Sequence, residues 1–264
     1  MNFLERLGSI ILGTLRQVIE ALALLFDTIS WIIIGSVKNK LPKREGIFNQ
    51  MVFAGVGSLI IAAFVSFFTG IVIAMQSAYQ LSRFGANIYV APMVSVGVAR
   101  ELGPVLTALV VAGRVGAAIT AELGTMKVTE QIEALDTMAL SPIRFLVVPR
   151  FLALLVMLPC LTLFADLLGI FGGFLVGVFN LHLDPYRYIT FSFQFMEWKD
   201  VWTGLVKSFV FAVIISMVGC YMGLKTKGGA EGVGKSTTLS VVTSFIFIIL
   251  FDCILTGIFY FTQK

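Results

Sequence analysis

The chain has 264 residues, 58% of them hydrophobic and only 13% charged, with a net charge of +4. An average soluble domain carries about 25% charged residues, and mean hydropathy here is +0.96. A water-soluble fold of this size could not bury so much apolar surface. The segment from Gly46 to Ser82 holds no charged residue, and about 20 apolar residues cross a bilayer. The composition therefore predicts an all-α integral membrane protein.

The N-terminal region reads as an amphipathic helix. Glu5, Ser9, Arg16, Glu20 and Asp27 are spaced to share one helical face, with Leu4, Leu7, Ile11, Leu15, Val18, Leu22 and Leu25 away from it. The charges interrupt the apolar run and no small-residue cleavage site follows, unlike a cleaved signal. Such a helix lies in the interface plane. Trp31 and the cluster Lys38, Lys40, Lys43 and Arg44 suit a headgroup boundary. Residues 1–45 are thus expected to form an interfacial helix and basic linker, and residues 46–264 a membrane unit.

Five spanning segments follow: within 47–80, then near 87–118, 146–180, 201–224 and 237–261. Pro159 is expected to kink the third. Between the second and third spans, 121–137 is too polar to cross. There Val128, Ile132 and Leu135 share one face, and Glu130, Glu133 and Asp136 repeat every three residues. This amphipathic segment fits either a solvated connector or a helix that enters a partner's groove. With the N-terminus inside, eleven basic residues face the cytoplasm: Lys38, Lys40, Lys43, Arg44, Arg114, Lys127, Arg144, Arg150, Lys225, Lys227 and Lys235. Four face out: Arg83, Arg187, Lys199 and Lys264. The bias predicts a cytoplasmic N-terminus and an external C-terminus.

GAEGVGKSTT, residues 229 to 238, matches the phosphate-loop pattern G-x-x-x-x-G-K-[ST]. That loop works only between a buried strand and a helix. Here FVFAVIISMVGCYMGL, a membrane segment, precedes it. Asp252 would sit about 24 Å from Lys235 along one helix. The match reads as accidental, a glycine turn between two spans with Ser236 or Thr237 capping the next helix. Cys160, Cys220 and Cys253 lie far apart in apolar runs and read as packing residues. His182, in a polar connection, reads as incidental.

Ionisable residues within spans are costly and mark candidate sites. Arg100 falls about 20 Å into the second span, near its middle, and Glu101 points roughly 100° away. Lys207 and Asp252 fall in the outer halves of their spans and could pair across helices. These four residues could be a lipid site or mutually satisfied ion pairs. Asp166 reads as structural. Ile71, Ile73, Met75 and Tyr79 could wall a path for acyl chains, with Arg100 attracting a phosphate. Gly169, Gly173 and Gly177 repeat every four residues, and they, with Gly113, Gly116, Ala117 and Ala118 on the second span, read as close helix packing.

The run ARELGPVLTALVVAGRVGAAITAELGTMKVTEQIEALDTMALSPIRFLVVPRFLA, residues 99 to 153, strongly resembles the MlaE permease family, the membrane subunits of ABC phospholipid transporters that work with MCE proteins. RELGP, AGRVGAAITAELG and TEQIEAL carry the likeness, which extends over roughly residues 45 to 262. Relatives tend to have GAEGVGRATT where this chain has GAEGVGKSTT, which agrees with an accidental match. The resemblance implies a non-catalytic permease that moves phospholipid between a bacterial inner membrane and an MCE lipid carrier. It implies a homodimer, a separate cytoplasmic ATPase that binds the ATP, and a STAS-domain regulator, with no cofactor on this chain. It favours a coupling helix over 121–137, with Glu122, Lys127, Glu130, Ile132, Glu133 and Leu135 toward the ATPase. It also places Arg100, Glu101, Lys207 and Asp252 in the lipid cavity, with Met75 and Tyr79 as candidates for its walls. The alternative, a polytopic enzyme acting on lipid, would need a nucleophile, base or metal cluster near the interface, and one histidine is a thin basis.

Overall fold

The computed structural model describes residues 18–34 and 44–262. Expectations placed on Glu5, Ser9, Arg16, Lys38, Lys40, Lys43 and Lys264 lie outside those residues. Among the described residues there is no strand. In hydrocarbon every backbone N–H and C=O must be satisfied within its own segment, which leaves the helix as the way for such a chain to cross.

Residues 18–34 form α1. Five helices are long and apolar enough to span a membrane: α2 (Arg44–Phe84), α3 (Asn87–Val128), α5 (Ile143–Phe179), α7 (Trp198–Leu224) and α8 (Gly229–Thr262). Two short helices lie between them, α4 (Gln131–Thr137) and α6 (Pro185–Phe195). Successive spans alternate in direction. One end of the bundle, here the upper, carries the α2–α3 connection and α6. The lower end carries α4 and the α7–α8 turn.

The core lies where α3, α5 and α7 meet, with Val111, Val115, Ile119 and Leu123 against Leu154, Leu158, Phe211 and Ile215. The α2–α5 contact is built differently. Ser58, Ala62, Ser66, Gly70 and Ala74 recur every four residues on α2 and are buried. A Cβ on Gly70 would fall 1.9 Å from the Gly169 carbonyl oxygen, and one on Gly172 2.3 Å from that of Phe67. Small residues let helices approach where lipid supplies no hydrophobic drive. The expected packing role of Gly169, Gly173 and Gly177 fits this geometry, for Gly173 and Gly177 abut Val94 and Tyr188.

The structure differs from expectation at five places. First, the third span is one continuous helix with Pro159 inside it, and the turn that opens it, Ile143–Val147, is of the π type. Secondly, α6 occupies a stretch read as a simple connection. Asp184 caps it by accepting from the Arg187 N–H at 3.0 Å, and it packs against residues 90–97 of α3. Its exposed Tyr186 is of a residue type that sits at headgroup level. Thirdly, the segment 121–137 is not one helix. α3 continues to Val128, and only after Glu130, at φ 60°, does α4 begin. Fourthly, of the three cysteines, all free, only Cys220 is buried, whereas Cys160 and Cys253 lie on the outer surface.

The fifth is GAEGVGKSTT. It is neither a phosphate loop nor a turn. The turn ends at Gly228 and Gly229, with φ of 93° and 68°, and α8 starts at Gly229. Thr237 and Thr238 donate back to the Val233 and Gly234 carbonyls within the helix, not as caps. Helical N–H groups past the first turn are spent on carbonyls four residues back and cannot cradle phosphate. Equilibrium dialysis of the purified chain is expected to show no ATP binding, with Lys235 or with Lys235→Ala.

Four widened π-type turns interrupt the spans, at Val52–Val56, Val98–Leu102, Ala112–Gly116 and Ile143–Val147. Such bulges often lie at functional sites, and one of them carries Arg100 and Glu101.

Candidate functional site

Lys207 is the most fully buried charge in the bundle, with none of its side chain exposed. It lies nine residues into α7 and is held from two sides. Its Nζ pairs with Glu101 of α3 and lies 2.8 Å from Asp252 Oδ1 of α8. It also donates to Thr256 Oγ1 at 2.7 Å, and that hydroxyl lies 3.3 Å from both Glu101 oxygens. One cation thus ties three spans. A desolvated ammonium needs this many acceptors, because leaving a charge unpaired in a low-dielectric interior costs several kcal/mol. Glu101 and Asp252 keep partly exposed side chains, 35% and 21%, so the cluster opens to one side.

Arg100 points elsewhere. Its Nη1 lies 3.5 Å from Oδ1 of Asp200 in the first turn of α7. Asp200 also caps that helix: its Oδ2 accepts from the Glu197 N–H at 3.0 Å, and the pair forms a capping box. Arg100 and Glu101 therefore face different partners on the same helix, seven residues or about 10 Å apart. Arg100 stands level with the first turn of α7. Asp200 and Thr256 were missed. The spacing Glu197–x–x–Asp200 ahead of an apolar run is a cap signature, and Thr256 follows Asp252 by one helical turn.

Met75 and Tyr79 do not join this cluster. They line a separate shallow pocket of about 280 Å³ with Val176 and Asn180 near the top of α2, and both are largely exposed. Arg83 donates to the Tyr79 hydroxyl at 2.6 Å. Ile71 and Ile73 pack instead on the core around Val90 and Val94. A larger apolar cavity, about 470 Å³, lies between α1 and the α7–α8 pair and is lined by Leu22, Leu25, Val213, Ile214 and Phe247. At its edge Tyr221 donates to Glu20 at 3.0 Å, and Lys225 pairs with the same carboxylate. That pairing raises the Lys225 pKa. Glu20 thus faces the bundle, while Ile19, Leu22 and Phe26 are exposed.

At the lower end, Ile132 is buried in the main core and Leu135 packs against it. The apolar face of α4 therefore covers its own chain and is not free to enter a groove. Glu130, Asp136 and Met138 remain outward. Lys127 pairs with Glu133 across the turn and holds that exposed carboxyl below its ordinary range. Glu122, expected in a coupling helix, lies within α3 and pairs with buried Arg150 of α5 at 2.7 Å. Asp166 is buried against Gly103, and its Oδ1 has no hydrogen-bond partner among the described residues.

The spans, the RELGP π turn and its ionic cluster agree with a membrane permease, and comparison with known proteins decides the family. Residues 47–258 match the family model described as Permease MlaE. The chain belongs to the MlaE permease family. A probable ABC transporter permease protein of Rickettsia prowazekii is 44% identical over 236 residues, 89% of this chain and 91% of that one. The intermembrane phospholipid transport system permease protein MlaE of Haemophilus influenzae is 34% identical over 262 residues, 98% of each. The chloroplastic protein TRIGALACTOSYLDIACYLGLYCEROL 1 of Arabidopsis thaliana is 34% identical over 229 residues, 87% of this chain and 65% of that one. The chain is thus a multi-pass ABC-transporter permease of the MlaE type, a membrane subunit and not an enzyme.

Proposed function

We propose that this permease moves phospholipids, driven by a separate ATPase, between a bacterial inner membrane and an MCE lipid carrier. The observation that carries the substrate reading is the Lys207 cluster, which is ionic, linked across three spans and open on its Glu101 and Asp252 side. With Arg100 and Asp200 it holds two cations and three carboxylates. Its accessible carboxylates suit the ammonium of a zwitterionic headgroup, and the 25% exposed Arg100 suits the phosphate. The exposed apolar faces of α2 and α8 suit acyl chains, and a second copy of the chain would close those faces into a cavity.

Motion would enter at the lower end. α4 is anchored by Ile132 and Leu135 and presents Glu130, Asp136 and Met138 outward. An ATPase docked there would pull on α3 and α5 through the Glu122–Arg150 pair. ATP stays on that partner, and this chain carries no cofactor. The basic bias places the N-terminus and this end in the cytoplasm and the C-terminus in the periplasm. The MCE carrier would meet the upper end, and a STAS-domain protein would act through the ATPase.

The deciding experiment is mild-detergent extraction of the tagged chain from its native membrane, followed by mass spectrometry and reconstitution of what co-purifies. Expected are an ATPase subunit, an MCE protein, retained phospholipid and ATP-dependent lipid transfer. A chain that purifies without an ATPase and moves no lipid would overturn the reading.

A further inference from the structure

Arg114 is a further charge within a spanning helix, and it differs from the ion-paired ones above. It sits in the π turn Ala112–Gly116 of α3, thirteen residues or about 20 Å below Glu101. Neighbouring Gly116 packs against Ile215 of α7, nine residues or about 14 Å above the lower end of that span.

Its protein partners among the described residues are all neutral. Nη1 donates to the Phe53 carbonyl at 3.1 Å and to Ser58 Oγ at 2.9 Å. The guanidinium carbon lies 5.2 Å from the Phe53 ring centre. The carbonyl of Phe53 lies within the π turn Val52–Val56. Gly57 leaves room for the group, since a Cβ there would fall 2.4 Å from Nη2. Among the described residues no carboxylate lies within ion-pair distance of Arg114. A guanidinium has five donors. Two are used at Nη1, and those of Nη2 and Nε make no hydrogen bond among the described residues. Arg114 is half-buried, and the surface beside it is exposed and apolar, with Phe53, Val56 and Ile60. An uncompensated cation at this depth calls for an anionic partner, and two adjacent donors in a fork suit two phosphate oxygens.

We propose that Arg114 is a second polar station on the lipid path. It would hold the phosphate of a phospholipid drawn from the lower leaflet, with acyl chains along Phe53, Val56 and Ile60. The inference rests on the phospholipid reading above. Arg114 is the lower station and the Lys207 cluster the upper, and the apolar face of α2 runs between them. The π turns on α2 and α3 are what bring Phe53, Ser58 and Arg114 to one point.

The test is lipid retention, which is read independently of transport. The full chain is placed in nanodiscs of phosphatidylcholine doped with phosphatidylglycerol, and bound phospholipid is counted by native mass spectrometry. Arg114→Gln is expected to weaken retention about tenfold, the loss of one charge-assisted hydrogen-bonded contact. Arg114→Lys, which keeps the charge without the fork, is expected to fall between. Ser58→Ala removes a protein tie but not the charge and is expected to retain lipid as the parent does. Added inorganic phosphate is expected not to displace it. Equal losses in Arg114→Gln and Ser58→Ala would reduce Arg114 to a tie between spans and overturn the proposal. So would unchanged lipid with loss of the dimer, which would assign a second copy's carboxylate as the partner, or displacement by inorganic phosphate. Lipid bound at Arg114 without any ATP-dependent transfer would leave this site standing and remove the transport reading alone.

Discussion

Lys207→Met is expected to cost about 3–5 kcal/mol of stability and to abolish lipid transfer. Methionine keeps the length and the apolar stem, so packing changes little. It removes the one cation between Glu101 and Asp252, leaving two partly buried carboxylates and the Thr256 hydroxyl facing each other. Breaking a buried ion pair from one side leaves uncompensated charge, and that is where the magnitude comes from. The triple variant Lys207→Met, Glu101→Gln, Asp252→Asn separates the two effects. It carries no unpaired charge, so its thermal midpoint in detergent is expected to return toward that of the parent. Transfer is expected to stay lost, because the headgroup then meets amides. Recovery of transfer in the triple variant would make the cluster a packing device and remove it from the lipid path.

Gly70→Val is expected to separate α2 from α5 and to destabilise the bundle by about 1–3 kcal/mol, the usual cost of overpacking a tight contact. The clash is with backbone: the first added carbon would lie 1.9 Å from the Gly169 carbonyl oxygen and 2.9 Å from its Cα. No rotamer relieves it, so α2 must move as a whole. Gly97→Ala is the control, since no atom lies within 4 Å of an added Cβ there. It is expected to be neutral or slightly stabilising, because alanine is the better helix former. The two midpoints, taken by circular dichroism in the same detergent, check both. Gly70→Val as stable as Gly97→Ala would contradict the close α2–α5 seam.

Much of the site was legible because charge is rare in this chain. Lys207 and Asp252 stand out against apolar runs, and their pairing follows from equal depth on neighbouring spans. The partners of Arg100 and Glu101 were less legible. Asp200 looked like part of a connection, and Thr256 looked like an ordinary small polar residue. The coupling segment was readable as amphipathic, but the direction of its apolar face was not. Periodicity places Ile132 and Leu135 on one side of a helix and is silent on whether that side meets this chain or another. Tyr79 and Met75 were chosen as apolar wall residues, and nothing local says which wall a residue on α2 faces.

Hydropathy, run length and long motifs are local properties, and they were enough for the class of structure, the five spans, their packing glycines and the family. The sequence also sufficed to set aside GAEGVGKSTT as a phosphate loop, since no strand could precede it. Contacts in three dimensions were needed to see that the same stretch is helical, that α7 begins level with Arg100, that Lys207 joins three spans, and that Arg114 has no carboxylate partner among the described residues. Those facts depend on relative helix heights and on where π turns rotate a face. Contacts between distant segments set both, and no repeat along one segment encodes them.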